Sequence, residues 1–231
     1  MRLDKFLANS GVGSRSEVKR LIKDKRVKVN NEVIKSDSFD VDENKDKVFF
    51  DDLEVKYKKF YYILLNKPQG YVSAVIDNVY PPVLDLLPEY RFVNLFPVGR
   101  LDVDTTGALL LTNNGDLAHK LLSPKYHVDK TYAVEVDKKL DIKLVEAFKK
   151  GVELDGELTL PADLLIINDK NAELTIHQGK FHQVKRMFKK FGYEVTKLSR
   201  KSFAFLTVDD LEVGQYRELT IEEENRLEKI V

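Results

Sequence analysis

Two apolar runs, residues 92–98 and 108–111, enclose the segment Gly99-Arg100-Leu101-Asp102-Val103-Asp104-Thr105-Thr106-Gly107. Two glycines bracket an arginine, two aspartates and two threonines, and the chain then returns at once to apolar residues. That order predicts strand, exposed polar loop, strand. It commits the chain to a sheet whose core fixes both ends of the loop, and it sets an acid and a base two residues apart on that loop. Loops held by a rigid scaffold are where catalytic groups concentrate.

From residue 60 onward, short β-rich runs dominate: 60–65, 95–98, 108–112, 131–136, 162–167, 172–177, 194–198 and 203–207. Helical spacing is confined to 116–122, 141–150 before Gly151, and 181–191 before Gly192, with a last helix opened by a Thr-x-x-Glu capping box at Thr220. Strands outnumber helices and do not alternate with them, which predicts an α+β fold with a mainly antiparallel sheet.

The first 36 residues differ in character. They hold ten basic and four acidic residues, whereas 37–56 hold eight acidic and three basic, in a chain whose 38 basic and 38 acidic residues otherwise cancel. A basic head on a neutral chain is a local electrostatic footprint for a polyanion, although a solvated basic face is the plain alternative. Leu3, Phe6 and Leu7 mark one helix face. Gly11 and Gly13 end that helix, and Ser14-Arg15-Ser16-Glu17 is a capping box opening a second, with Val18, Leu21 and Ile22 as its buried stripe. Residues 27–29, the Asn30-Asn31 turn and 32–34 read as a hairpin, and 48–50 with 53–55 as another. In this small αα-ββ module, Arg2, Lys5, Arg15, Lys19, Arg20, Lys23 and Arg26 are placed to track phosphates, with Ser14 and Ser16 as further contacts.

The chain has no cysteine, so disulfides and thiolate metal sites are excluded, and its four histidines lack metal-ligand spacing. No phosphate-cradling loop of the nucleotide-hydrolase type and no Ser-His-Asp set is evident. No apolar run reaches the roughly 20 residues of a membrane span, and the charge at Arg2 argues against a secretory signal. The expectation is a cytoplasmic monomer without metal or cofactor. Any chemistry falls to Asp, Arg, Lys and Tyr: a carboxylate beside Arg100 or Lys185 stays ionised, ready to act as nucleophile or base. Asp102 and Asp104 are equally eligible on these grounds.

The head resembles the S4 RNA-binding domain over about residues 1–58, through Arg2-Leu3-Asp4-Lys5-Phe6-Leu7, Ser14-Arg15-Ser16 and Arg26-Val27-Lys28-Val29-Asn30. Across nearly the whole chain, four motifs in order resemble the RsuA/RluB/RluE/RluF family of pseudouridine synthases: Asn66-Lys67-Pro68-Gln69-Gly70, the 99–107 loop, Lys130-Thr131-Tyr132, and Gly179-Lys180-Phe181-His182-Gln183-Val184-Lys185-Arg186-Met187. The resemblance implies residues 1–58 as the RNA-binding head, residues 59–231 as the catalytic domain, and a mixed, mostly antiparallel sheet with a central cleft. It implies isomerisation of a uridine to pseudouridine without cofactor, and base flipping of the target.

The resemblance also assigns roles. Asp102 is the catalytic carboxylate, acting at C1′ or on a ribose proton. Arg100 holds the flipped nucleotide, Tyr132 stacks on the uracil or assists proton removal, and Lys185 pairs with Asp102. Leu101, Leu198 and Lys67 line the substrate pocket, while Lys180, His182, Gln183 and Arg186 join the RNA-binding set. Chain length and motif wording are most similar to the branch acting on small-subunit (16S) ribosomal RNA. A sister enzyme on large-subunit (23S) RNA and a catalytically silent ribosome-associated protein are the alternatives.

Overall fold

The fold is described by a computed structural model covering residues 1–230, which divides into two units: Met1–Tyr61 with Leu87–Leu95, and Tyr62–Leu86 with the chain from Phe96 onward.

In the first unit, α1 (Leu3–Asn9) and α2 (Arg15–Lys23) pack on a four-stranded sheet. Ser14 caps α2: its Oγ accepts from the Glu17 N–H while Glu17 accepts from the Ser14 N–H, the reciprocal box expected from the sequence. Val18 and Ile22 are fully buried, but Leu21 is only half-buried, so the inward stripe of α2 is narrower than its spacing implies. Strands β1 (Val27–Val29), β2 (Glu32–Val33), β3 (Val48–Phe50) and β4 (Leu53–Val55) form one sheet in the order β2-β1-β3-β4 rather than two separate ribbons. Asn30 and Asn31 both have positive φ, as a two-residue hairpin turn requires.

The second unit is built on a nine-stranded sheet. Its strands are β5 (Tyr62–Lys67), β6 (Phe96–Pro97), β7 (Thr106–Thr112), β8 (Lys130–Val136), β11 (Asp163–Ile166), β12 (Asn171–Ile176), β13 (Val195–Phe203), β14 (Leu206–Thr207) and β15 (Tyr216–Glu218); β9 (Glu153–Leu154) and β10 (Glu157–Leu158) pair separately. The central order is β11-β12-β8-β13-β7-β5-β15, and only β13 with β7 is parallel. Four helices accompany the sheet: α3 (Gly115–Leu122), α4 (Lys143–Lys149), α5 (Gln183–Lys190) and α6 (Ile221–Glu228). The fold is therefore α+β with a mixed, mainly antiparallel sheet.

Two departures from the sequence pattern bear on the site. Residues 194–198 and 203–207 were expected as separate strands, but β13 runs unbroken to Phe203 and turns at Ala204, which has positive φ, into β14. The polar stretch Ser199-Arg200-Lys201-Ser202 hides this continuity, because strand patterns are read from apolar residues. Gly107 occupies φ +103°, and a Cβ there would lie 2.2 Å from the Arg200 carbonyl oxygen. The parallel pairing of Arg200 with Gly107 thus depends on the missing side chain.

Candidate active site

The loop between β6 and β7 is fixed from beneath by the turn that follows β5. Lys67 is fully buried, and its Nζ donates to the carbonyls of Thr105 (2.9 Å), Pro68 (3.0 Å) and Asp102 (3.1 Å). Gln69 Nε2 donates to the Asp104 carbonyl (3.0 Å), and the Gly70 N–H to that of Val103 (2.9 Å). Ser73 Oγ receives the Leu101 N–H (3.0 Å) and donates to the Leu101 carbonyl (3.1 Å). Lys67 therefore does not line a substrate pocket, as the sequence reading had it. Its ammonium is turned inward because peptide carbonyls of Pro68 and of the polar loop converge there and accept from it. Burial pushes Lys67 down to about 8 despite the two aspartates nearby.

Above this clamp lies a cavity of about 880 Å³, whose lining includes Arg100, Leu101, Asp102, Tyr132, Lys185 and Leu198. Alternation along β8 turns Lys130 and Tyr132 to one face; alternation along β13 does the same for Leu198 and Arg200, with Arg200 directly opposite Tyr132. Tyr132 and Leu198 are each 7% exposed and present an apolar wall to the cavity. Helix α5 brings Lys185 to the loop: its Nζ lies 3.0 Å from Asp102 Oδ2 and 2.6 Å from Asp104 Oδ1. Burial alone would lower the Lys185 ammonium, but hydrogen bonds to Asp104 and Asp102 outweigh it and hold it above the ordinary lysine value. Burial would likewise raise Asp104, yet the Lys185 hydrogen bond and charge hold it below the usual carboxylate range. The side chain of Asp102 is 26% exposed and that of Asp104 68%, so Asp102 is the carboxylate set within the cavity wall.

His182 sits nearer the chemistry than a surface contact would: its Nε2 is 3.4 Å from Asp102 Oδ1. Arg100 lines the cavity and, among the described residues, forms no ion pair with Asp102; the ammonium paired with the Asp102 carboxylate is that of Lys185. Gln183 is 3% exposed and lines the cavity; its Oε1 accepts the Lys180 N–H (2.9 Å), which holds the turn into α5. Lys180 pairs with Glu157, and Arg186 with Asp155. In the head, the Ser14 hydroxyl is engaged in the cap, while Ser16 remains exposed. Arg2 pairs with Asp4, Lys19 with Asp37, and Arg26 with Asp51. Lys5, Arg15, Arg20 and Lys23 are exposed and form no ion pair among the described residues.

Two buried cations went unassigned by the sequence reading. Arg200 is 2% exposed, and its Nε donates to the Ala108 carbonyl at 2.6 Å. Lys130 donates to the Val128 carbonyl at 2.8 Å, and burial together with the Arg200 charge pushes it down to about 8. One signal for Lys130 was present: it falls in phase with Tyr132, Val134 and Val136 on the buried face of a strand. Among the described residues, no group of three or more His, Asp or Glu is arranged to hold a metal, and no helix is long and apolar enough to cross a membrane.

Comparison with known proteins is consistent along the whole chain. The RNA pseudouridylate synthase family pattern matches residues 61–190, and the S4 domain pattern matches residues 1–46. The uncharacterized RNA pseudouridine synthase YtzG of Bacillus subtilis is 45% identical over 96% of each chain. The ribosomal small subunit pseudouridine synthase A of Escherichia coli is 40% identical over 96% of this chain and 98% of its own. The ribosomal large subunit pseudouridine synthase B of B. subtilis is 39% identical over 98% of this chain and 95% of its own. A crystal structure of a pseudouridylate synthase superposes over all of both chains with a TM-score of 0.69 at 38% identity.

Proposed function

The chain belongs to the RNA pseudouridylate synthase family, and from that membership we propose that it isomerises one uridine of small-subunit (16S) ribosomal RNA, with Asp102 as the catalytic carboxylate. The observation that carries the assignment is the Asp102–Lys185 pair set in the wall of a cavity bounded by Tyr132 and Leu198.

The C1′–N1 bond of the target uridine breaks, the uracil turns, and C1′ rejoins at C5. The C5 proton then leaves and N1 takes one, so the product is an isomer. Asp102 acts at the sugar, by adding to C1′ or by taking a ribose proton. Lys185 keeps that carboxylate ionised and oriented. Tyr132 and Leu198 offer the detached uracil an apolar slot in which to rotate. Arg100, at the mouth, holds the nucleotide out of its stack, an extrusion costing a few kcal/mol that contacts to the strand offset. His182 steadies the second Asp102 oxygen. The exposed cations Lys5, Arg15, Arg20 and Lys23 supply phosphate contacts in the head. The enzyme acts as a monomer, in the cytoplasm where ribosomal RNA is made.

Pseudouridine mapping of ribosomal RNA from a strain lacking this gene tests the proposal. One uridine of the small-subunit RNA should stay unmodified and be restored by the wild-type gene, not by Asp102→Asn. A missing site in the large-subunit RNA instead would support the second reading, which the large-subunit relative at nearly equal identity keeps open. Unchanged RNA would overturn both.

A further inference from the structure

Phe181 lies on the rim of the same cavity with 76% of its surface exposed. One face of its ring is covered: the His182 imidazole stacks on it with centroids 3.8 Å apart and planes 18° apart. Through His182, this two-ring stack begins at Asp102 and ends on an open aromatic face. The backbone is set to present it. His182 is held in the left-handed region (φ 46°, ψ 35°), and Arg186 Nη1 donates to the Phe181 carbonyl at 3.3 Å. Lys180 and Lys185 line the same cavity, Lys180 paired with Glu157 and Lys185 with Asp102, and Arg186 is paired with Asp155.

A lone exposed phenylalanine needs no explanation. This one is backed by a second ring, tied at its carbonyl and set on a cavity whose lining also includes Lys180 and Lys185. Single-stranded nucleic acid is bound by that combination, aromatic faces taking bases and cations taking phosphates.

We propose that the open face of Phe181 is the stacking site for the nucleotide directly adjacent to the target uridine, with His182 as the spacer that sets its distance from Asp102. The proposal rests on the reading that the uridine strand enters this cavity. Extruding a uridine removes a stacking partner from each neighbour; the Phe181 ring replaces one of them. Because every base has a flat face, the site contributes affinity and registration rather than a choice of base.

The probes are single-stranded RNAs of about ten nucleotides, within the usual span of such sites. Each carries one uridine, with 2-aminopurine on its 5′ side in one probe and on its 3′ side in the other. Wild type and Phe181→Tyr should quench the fluorescence of one probe. Phe181→Ala and Phe181→Leu should lose that quench and bind roughly 5- to 150-fold more weakly, with the salt dependence of binding unchanged. Leucine keeps apolar area without a flat ring, so retained quenching in Phe181→Leu overturns stacking. Retained quenching in Phe181→Ala, or none with wild type, overturns it too. Tritium release from 16S ribosomal RNA labelled at uridine C5 is measured in parallel. Wild type that releases none defeats the proposed function, whereas release without a Phe181-dependent fluorescence change defeats only the stacking site.

Discussion

Lys185 places its ammonium 3.0 Å from Asp102 Oδ2, both side chains about three-quarters buried in the cavity wall. An ammonium so placed does what a neutral group of equal length cannot: it favours the ionised carboxylate and fixes its direction. Lys185→Met should reduce kcat about 100-fold or more, in the range of lost electrostatic groups at active sites, while RNA affinity moves little. Lys185→Arg keeps the charge and should retain much more activity. Single-turnover rates at saturating RNA compare the two, and equal losses would assign Lys185 a shape role instead.

Asp102 and Asp104 share that ammonium but differ in setting. Asp102→Asn should abolish pseudouridine formation with RNA binding intact. Asp104→Asn, at a largely exposed position, should keep activity within about tenfold, as expected for a surface ion pair worth at most about 1 kcal/mol. Reversed outcomes in a tritium-release assay would transfer the catalytic role to Asp104.

Lys67 makes stability depend on alkaline pH. Its folded value of about 8 lies below the 10.5 of an ordinary lysine. Between those values the folded chain has released a proton that the unfolded chain keeps, so stability rises with pH across this window. Relative to Lys67→Met, the wild type should gain up to about 3 kcal/mol from pH 8 to 10.5. Denaturant unfolding at both pH values measures it, and a flat difference would mean that the clamp holds its charge. The same variant should lose activity at pH 7, since the Pro68 and Thr105 carbonyls lose the ammonium that holds the loop beneath Asp102.

Much of this was legible in the chain. Glycines bracketing polar residues between apolar runs marked the loop, capping boxes at Ser14 and Thr220 opened helices where expected, and Val184, Met187 and Phe188 fixed the inward face of α5. Lys67 and Arg200 were not legible as inward-facing groups, because pattern reading assigns charged side chains to water. Their burial rests largely on partners distant in sequence: the Thr105 and Asp102 carbonyls for Lys67, and the Ala108 carbonyl for Arg200. The shared ammonium of the two aspartates likewise needed α5, about eighty residues away in sequence, to bring Lys185 to the loop.

In the head, pairing separates cations that composition treats alike. Arg15→Ala with Arg20→Ala should flatten the salt dependence of RNA binding by about 0.7–0.9 per lost phosphate contact. Arg26→Ala, whose guanidinium is already held by Asp51, should change the slope little. Titrations from low to moderate salt decide, and an unchanged slope in the double variant would remove α2 from the RNA interface.

Gly107→Ala should cost about 3 kcal/mol or more, or prevent folding, because the new methyl meets the Arg200 backbone and the φ of +103° suits only glycine. Thermal unfolding of purified protein measures the loss. A near-neutral result would mean that β7 and β13 can part without harm.

The parallel pair has a consequence for how the enzyme comes into being. β13 is the plank between β8 and β7, the one strand that joins β11-β12-β8 to β7-β5-β15. It leaves the ribosome about ninety residues after the loop whose exit it borders. Before β13, the chain lacks the strand between β8 and β7, and the cavity lacks its Leu198 wall. Such late, long-range closure is slow. A chain cut short before β13 thus lacks part of the cavity wall and leaves the edges of β8 and β7 unpaired.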